Sequence, residues 1–127
     1  MPHVIVEYSA NLDDSLDIGA LVHELHRTMV ESGIAEVAAI RTRAERRDLF
    51  EVADGNPANG FVHIVVRMRV GRPEEQRRKL GEALLAASNK CLEAAYKTHP
   101  TGVTVEIHEI DHMTFRRNTI RDRASAA

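Results

Sequence analysis

The sequence predicts an α/β fold in which a strand–helix–strand unit occurs twice and both helices cover one face of a single sheet. Three observations lead there. Alternating apolar strands begin near residues 3 and 61, each followed by an amphipathic helix and a further strand. A unit of that order joins parallel strands by a crossover. Finally, 127 residues with 43% hydrophobic content build one core but not two, so a single domain over residues 1–127 is expected.

His3 to Ser9 (HVIVEYS) alternates Val4, Val6 and Tyr8 against His3, Ile5 and Glu7, which is the pattern of a half-buried strand starting directly after Pro2. From Ile18, apolar residues fall at Leu21, Val22, Leu25, Met29 and Val30, the spacing of a helix, and Gly33 is placed to end it in a left-handed cap. Ala38 to Arg43 reads as a short strand. Asp54-Gly55 and Asn59-Gly60 then mark turns around an irregular hairpin. Phe61 to Val70 (FVHIVVRMRV) is the clearest strand, with Val62, Ile64, Val66, Met68 and Val70 on one face and His63, Arg67 and Arg69 on the other.

Gly71 ends that strand, and Pro73 suits the first position of a long helix that runs to about Lys97. Leu80, Leu84, Ala87, Cys91 and Ala95 recur along its buried side. Val103 to Ile110 is the last strand. Residues 116–127 read as an irregular, arginine-bearing tail, flexible and disordered at its Ala-Ser-Ala-Ala end. The sheet face with His63, Arg67, Glu106 and His108 is left without a cover from its own chain, so water or another subunit must lie against it.

Composition narrows the function classes. Lys and Arg number 17 against 19 Asp and Glu, a formal charge of −2, and five aromatics offer little for base stacking; no nucleic-acid partner is expected. No apolar run reaches the roughly 20 residues of a membrane span, and the N-terminus lacks a basic-then-apolar leader, so the expected setting is the cytoplasm with no membrane partner. Cys91 has no partner for a disulfide. The basic residues are fourteen arginines and three lysines, a bias that suits the gripping of carboxylates by planar forks and equally reflects codon usage.

The familiar chemical motifs are weak here. His23 and His26 are three apart where the zinc helix needs four, and His108 and His112 would lie about 13 Å apart along a strand. No metal is expected. Pro2 is more interesting, because a small second residue permits removal of the initiator methionine and would leave a secondary amine opening straight into a strand. A free α-amine has a pKa near 8, and burial or nearby cations lower it toward neutrality.

MPHVIVEYS at the start, IRTR at Ile40–Arg43, ADG at Ala53–Gly55, FVH at Phe61–His63 and GR at Gly71-Arg72 occur in order over nearly the whole chain. In this the sequence resembles the 5-carboxymethyl-2-hydroxymuconate Δ-isomerases of the tautomerase superfamily. The resemblance implies two β-α-β units in a four-stranded sheet with added short strands, assembled as a homotrimer around a central channel. It also implies a cofactor-free, metal-free isomerase of homoprotocatechuate and 4-hydroxyphenylacetate catabolism, acting on a carboxylated dienol. By the same resemblance Pro2 carries the proton, and Arg41 and Arg72 bind carboxylate and oxo groups. Arg43, on the same strand face as Arg41, and Phe61, as an apolar wall for the amine, are further candidates. Two alternatives stay open: another activity of the superfamily (phenylenolpyruvate-type tautomerisation, decarboxylation or dehalogenation), and a non-enzymatic ligand-binding or assembly module in which Pro2 is idle.

Overall fold

The computed structural model describes residues 1–126. Strand β1 (His3–Ser9) leads through a 3-10 turn at Ala10–Asp14 to helix α1 (Ile18–Ser32), and a second 3-10 turn at Val37–Ala39 precedes β2 (Arg41–Arg47). The second unit is β3 (Gly60–Arg69), α2 (Glu74–Thr98) and β4 (Thr101–Ile110), followed by a short helix α3 (Ile120–Ala126). The strand order is β2-β1-β3-β4. Pairing is parallel within each unit and antiparallel where β1 of the first unit meets β3 of the second. The duplicated strand–helix–strand architecture is therefore as the sequence pattern predicts.

Both helices pack on the face formed by the alternate residues Val4, Val6 and Tyr8 of β1 and Val62, Ile64, Val66 and Met68 of β3. Leu21, Leu25 and Met29 from α1 and Leu80, Leu84 and Leu92 from α2 complete a single buried cluster. α1 starts where the Asp17 side chain accepts the Ala20 N–H and stops at Gly33, whose φ of 67° only glycine adopts without strain. α2 begins at Glu74, one residue later than a first-turn proline would place it, because Pro73 stands in the extended cap position. Ser88 is buried among the leucines, where its hydroxyl donates to the Leu84 carbonyl at 2.8 Å.

The other face is a grid fixed by register. Arg41, His3, Arg67 and His108 form one row across the sheet, and Arg43, Ile5, Val65 and Glu106 the next. Glu106 binds His63 and lies 3.5 Å from His108, and these contacts hold its carboxyl below the usual range.

Four sequence expectations are corrected. The second strand is Arg41–Arg47, not 38–43: residues 37–39 wind into a 3-10 turn, and β2 begins where the Arg41 N–H can reach the Pro2 carbonyl. No hairpin forms around Asp54-Gly55 and Asn59-Gly60. Both are turns in a long loop, because β2 pairs with β1 and is separated from β3 by it. The tail is not irregular throughout. Asn118 caps α3 through its side-chain oxygen, which accepts the N–H of Ile120 at 2.9 Å, and Arg121 clasps Glu36 through two hydrogen bonds. The expectation for the terminal Ala-Ser-Ala-Ala includes Ala127, which lies outside the described residues. The added short strands are also missing among the described residues, where the sheet has four strands.

Among the glycines, Gly60 is the one most closely packed, at a contact between the two units. A Cβ there would stand 2.7 Å from the Leu12 Cδ2 and 3.2 Å from the Ser9 Oγ, both in fully buried residues. Gly60→Ala should therefore lower stability by about 1–3 kcal/mol through overpacking. Gly102→Ala, with nothing within 4 Å of its Cβ, should change it by less than about 0.5 kcal/mol. Denaturant midpoints of the two variants measure the contrast, and equal midpoints would contradict this packing.

Candidate active site

Because β1 is an interior strand, its first residues are held on both sides. The Pro2 carbonyl accepts the Arg41 N–H at 3.1 Å, and His3 pairs with Arg41 on one side and Arg67 on the other. Carried two residues further, the antiparallel register brings Arg69 beside Met1. Gly71, at φ 124°, then reverses the chain. The Arg72 that follows folds back so that its Nε donates to the Ile34 carbonyl at 3.1 Å and its Nη1 to the Arg69 carbonyl at 3.2 Å. Two segments distant in sequence, at Arg41 and at Arg67–Arg72, thus deliver arginines to the start of the chain.

A cleft of about 440 Å³ opens at this corner. One wall is Met1, His3, Ala39 and Arg41; the other is the segment from Thr114 to Asn118, with Arg121. The Met1 ammonium is held below the usual α-amine value, first by partial burial and then by the charges of Arg41, Arg116, Arg69 and Arg72. Burial and the adjacent Arg43 similarly depress His3. The Nη1 of Arg43 lies 3.0 Å from the His3 Nδ1. Since guanidinium only donates, Nδ1 is the acceptor, which leaves the imidazole proton on Nε2.

The partners of the arginines divide them into two groups. Arg27, Arg46, Arg47 and Arg121 are paired with carboxylates at the surface. Arg41, Arg69, Arg72 and Arg116 have no carboxylate partner among the described residues, although they surround one terminal amine. Arg41 spends one donor on the Ala39 carbonyl at 2.8 Å and faces the cleft with the rest of its fork. Such an arrangement is a site for an anion, supplied with fixed charge in a partly desolvated place.

Of the residues singled out from the sequence, Arg41 lines the cleft; Pro2 is buried next to it, its carbonyl bonded to the Arg41 N–H, and neither it nor Arg72, whose charge reaches the terminal amine, is part of the lining. Arg43 shares the face of Arg41 but is turned onto His3 and does not line the cleft. Phe61 is not brought to Pro2 within one chain: β3 runs antiparallel to β1, so its first residues lie beside Ser9, at the far end of the sheet, where the Phe61 ring meets Phe50 edge-on at 6.3 Å. Arg69, Arg116 and Asn118 were missed. Arg69 was visible only as an outward residue of a strand, and its nearness to Met1 follows from strand order. The double arginine at 116–117 was a signal, but nothing local says where the tail returns.

The fold and the corner site together define a class: a tautomerase-type α/β protein that opens its N-terminal strand into a cationic pocket. Structures of native and wild-type fused 4-OT share the fold, one of them described as a symmetric trimer, with a TM-score of 0.72 at 19% identity over 92% of each chain. The chain belongs to the 5-carboxymethyl-2-hydroxymuconate isomerase family, whose profile matches residues 2–124. It is 30% identical over 121 residues to the 5-carboxymethyl-2-hydroxymuconate Delta-isomerase of Escherichia coli, covering 94% of this chain and 96% of that one. A crystal structure of a 5-carboxymethyl-2-hydroxymuconate isomerase from Deinococcus radiodurans R1 superposes with a TM-score of 0.90 at 30% identity, covering 97% of this chain and 93% of that one. The protein is accordingly an isomerase of the tautomerase superfamily.

Proposed function

We propose that the protein converts a carboxylated dienol such as 5-carboxymethyl-2-hydroxymuconate into its conjugated ketone, with Pro2 as the acid and base and without a cofactor. The observation that carries this reading is the placement of the chain start at a cleft lined by Arg41 and Arg116, which have no carboxylate partner among the described residues, with Arg69 and Arg72 near enough for their charges to act on the terminal amine. With Met1 in place the Pro2 nitrogen is an amide and has no basicity. Once Met1 is removed it becomes a secondary amine, standing in the field that already depresses the Met1 ammonium.

The reaction moves one proton. The amine takes the hydroxyl proton of the dienol, the carbon–oxygen bond becomes a carbonyl as the double bonds shift, and the same proton is returned to carbon at the far end of the conjugated system. One base that accepts and redelivers is sufficient. The dienolate between the two steps is an anion. Arg41, facing the cleft, binds it directly, while Arg72, tied to the Ile34 and Arg69 carbonyls, adds a charge that needs no reorganisation during the reaction. His3, neutral with its proton on Nε2, offers a donor on the same wall. Arg43 acts through His3 as a positioning residue.

The assembly we infer is a homotrimer of a cytoplasmic protein, with the open sheet face inside. Ile5 and Val65 are only partly covered at the centre of that face, in a row with Arg43 at one end and Glu106 at the other, charges that a neighbouring copy can match. A fold relative described as a symmetric trimer supports the same arrangement. Among the described residues no helix is long and apolar enough to cross a membrane.

Two measurements test these readings. A chain forced to keep a residue ahead of Pro2 should lose about 10²–10⁴-fold in turnover, the worth of general-base catalysis; full activity in the blocked form, checked by intact mass, would remove Pro2 from the mechanism. Light scattering should give three times the 14.2 kDa chain mass, and a strict monomer at micromolar concentration would overturn the trimer.

A further inference from the structure

The segment between β4 and α3 is fastened over the cleft by contacts that its sequence does not announce. The Asn118 side-chain amide donates to the Ala38 carbonyl at 2.9 Å, and Arg121 reaches both oxygens of Glu36 at 2.7 and 2.6 Å. Each contact spans 80 residues or more and ties the segment to the 3-10 turn that precedes Arg41. The segment is thus a strap, closed at the turn that also positions the catalytic wall.

What the strap presents to the cleft is unusual for a merely structural closure. Arg116 lines the cleft with no carboxylate partner among the described residues, whereas Arg121, five positions on, is fully engaged. Thr114 holds a buried hydroxyl oxygen in the same wall with no hydrogen-bond partner among the described residues. Phe115 stands 88% exposed at the rim. A buried hydroxyl without a partner costs free energy unless something satisfies it, and a cation facing Arg41 across a cleft repels until an anion lies between them.

We propose that the strap supplies Arg116 as the cation for the carboxylate at the far end of the substrate, with Thr114 as a second donor, so that the site selects enols carrying two or more carboxylates over monocarboxylate enols. This rests on the Pro2 reading above and extends it to substrate selection. Arg41 and Arg116 then grip the substrate from opposite walls, and a cleft of about 440 Å³ falls in the ordinary size range for a small ligand. Glu36 and Arg121 are positioning residues, since neither needs to touch the substrate for the strap to hold Arg116 in place.

The test compares selectivity, not activity alone. For the processed enzyme, kcat/KM is measured on 5-carboxymethyl-2-hydroxymuconate and on the monocarboxylate phenylenolpyruvate, and binding of adipate and hexanoate is measured by calorimetry. Arg116→Ala should reduce the ratio of the two kcat/KM values by about ten- to a hundredfold, chiefly through KM, and reduce the adipate-to-hexanoate affinity ratio similarly; Arg116→Lys should restore part of both. Glu36→Gln, which releases the strap, should shift both ratios in the same direction while leaving the thermal melting of the core cooperative. Unchanged ratios in Arg116→Ala would overturn the proposal. If the wild-type protein turned over neither enol, the Pro2 reading would fail, and the adipate-to-hexanoate ratio would still decide the role of the strap.

Discussion

Everything at the site depends on β1 being an interior strand. Chain ends normally fray because few contacts hold them, but here the first strand is hydrogen-bonded on both edges, to β2 and to β3, and its apolar face is fully buried through Val4 and Val6. A residue at the start of this strand is thereby held as firmly as one in the core. The antiparallel junction of the two units then sets the electrostatics. It lays the end of β3, with Arg67 and Arg69, alongside the start of β1, while the parallel crossover delivers Arg41 to the other side.

That concentration of charge has a physical cost that the rest of the molecule avoids. Surface arginines such as Arg27 and Arg47 each contact two carboxylates, pairs that individually contribute about 0–1 kcal/mol. The arginines around the chain start are held instead by backbone carbonyls: Ala39 for Arg41, Ile34 and Arg69 for Arg72. Carbonyl partners fix a guanidinium in place without neutralising it, so its charge remains available to an anion. The same field bears on any amine at the terminus and favours its neutral, proton-accepting form.

The parts of this architecture that local pattern encodes were legible in the sequence, and the parts that depend on long-range pairing were not. Val4-Val6-Tyr8, the Leu21-Leu25-Met29 stripe ended by Gly33, and Val62-Ile64-Val66-Met68 each carry a period that only one element satisfies, and the structure follows them. β2 carries no such period. Its residues RTRAERR form a charged edge strand, so its limits and partner come from the crossover, and the turn signals at Asp54-Gly55 and Asn59-Gly60 suggested a hairpin that strand order does not permit. The place of Pro2 at the head of an apolar strand was legible because the strand's alternation begins at the next residue. Within one chain Phe61 lies away from Pro2, because β3 runs antiparallel to β1 and that direction cannot be read from β3 itself. The strap was invisible for the same reason: its anchor, the pair of Arg121 and Glu36, joins residues 85 positions apart.

The protonation state of the Pro2 amine bears most directly on this account. With Met1 removed and proline labelled with nitrogen-15, titration by NMR should give an amine pKa below the ordinary value of about 8, coincident with the acid limb of kcat/KM, which rises with pH through that single ionisation and is flat at neutral pH. A neutral imidazole at His3 would produce a limb of similar shape, so the amine must be observed itself. A Pro2 amine still protonated at a pH where the enzyme is fully active would contradict the account and assign the base to another group.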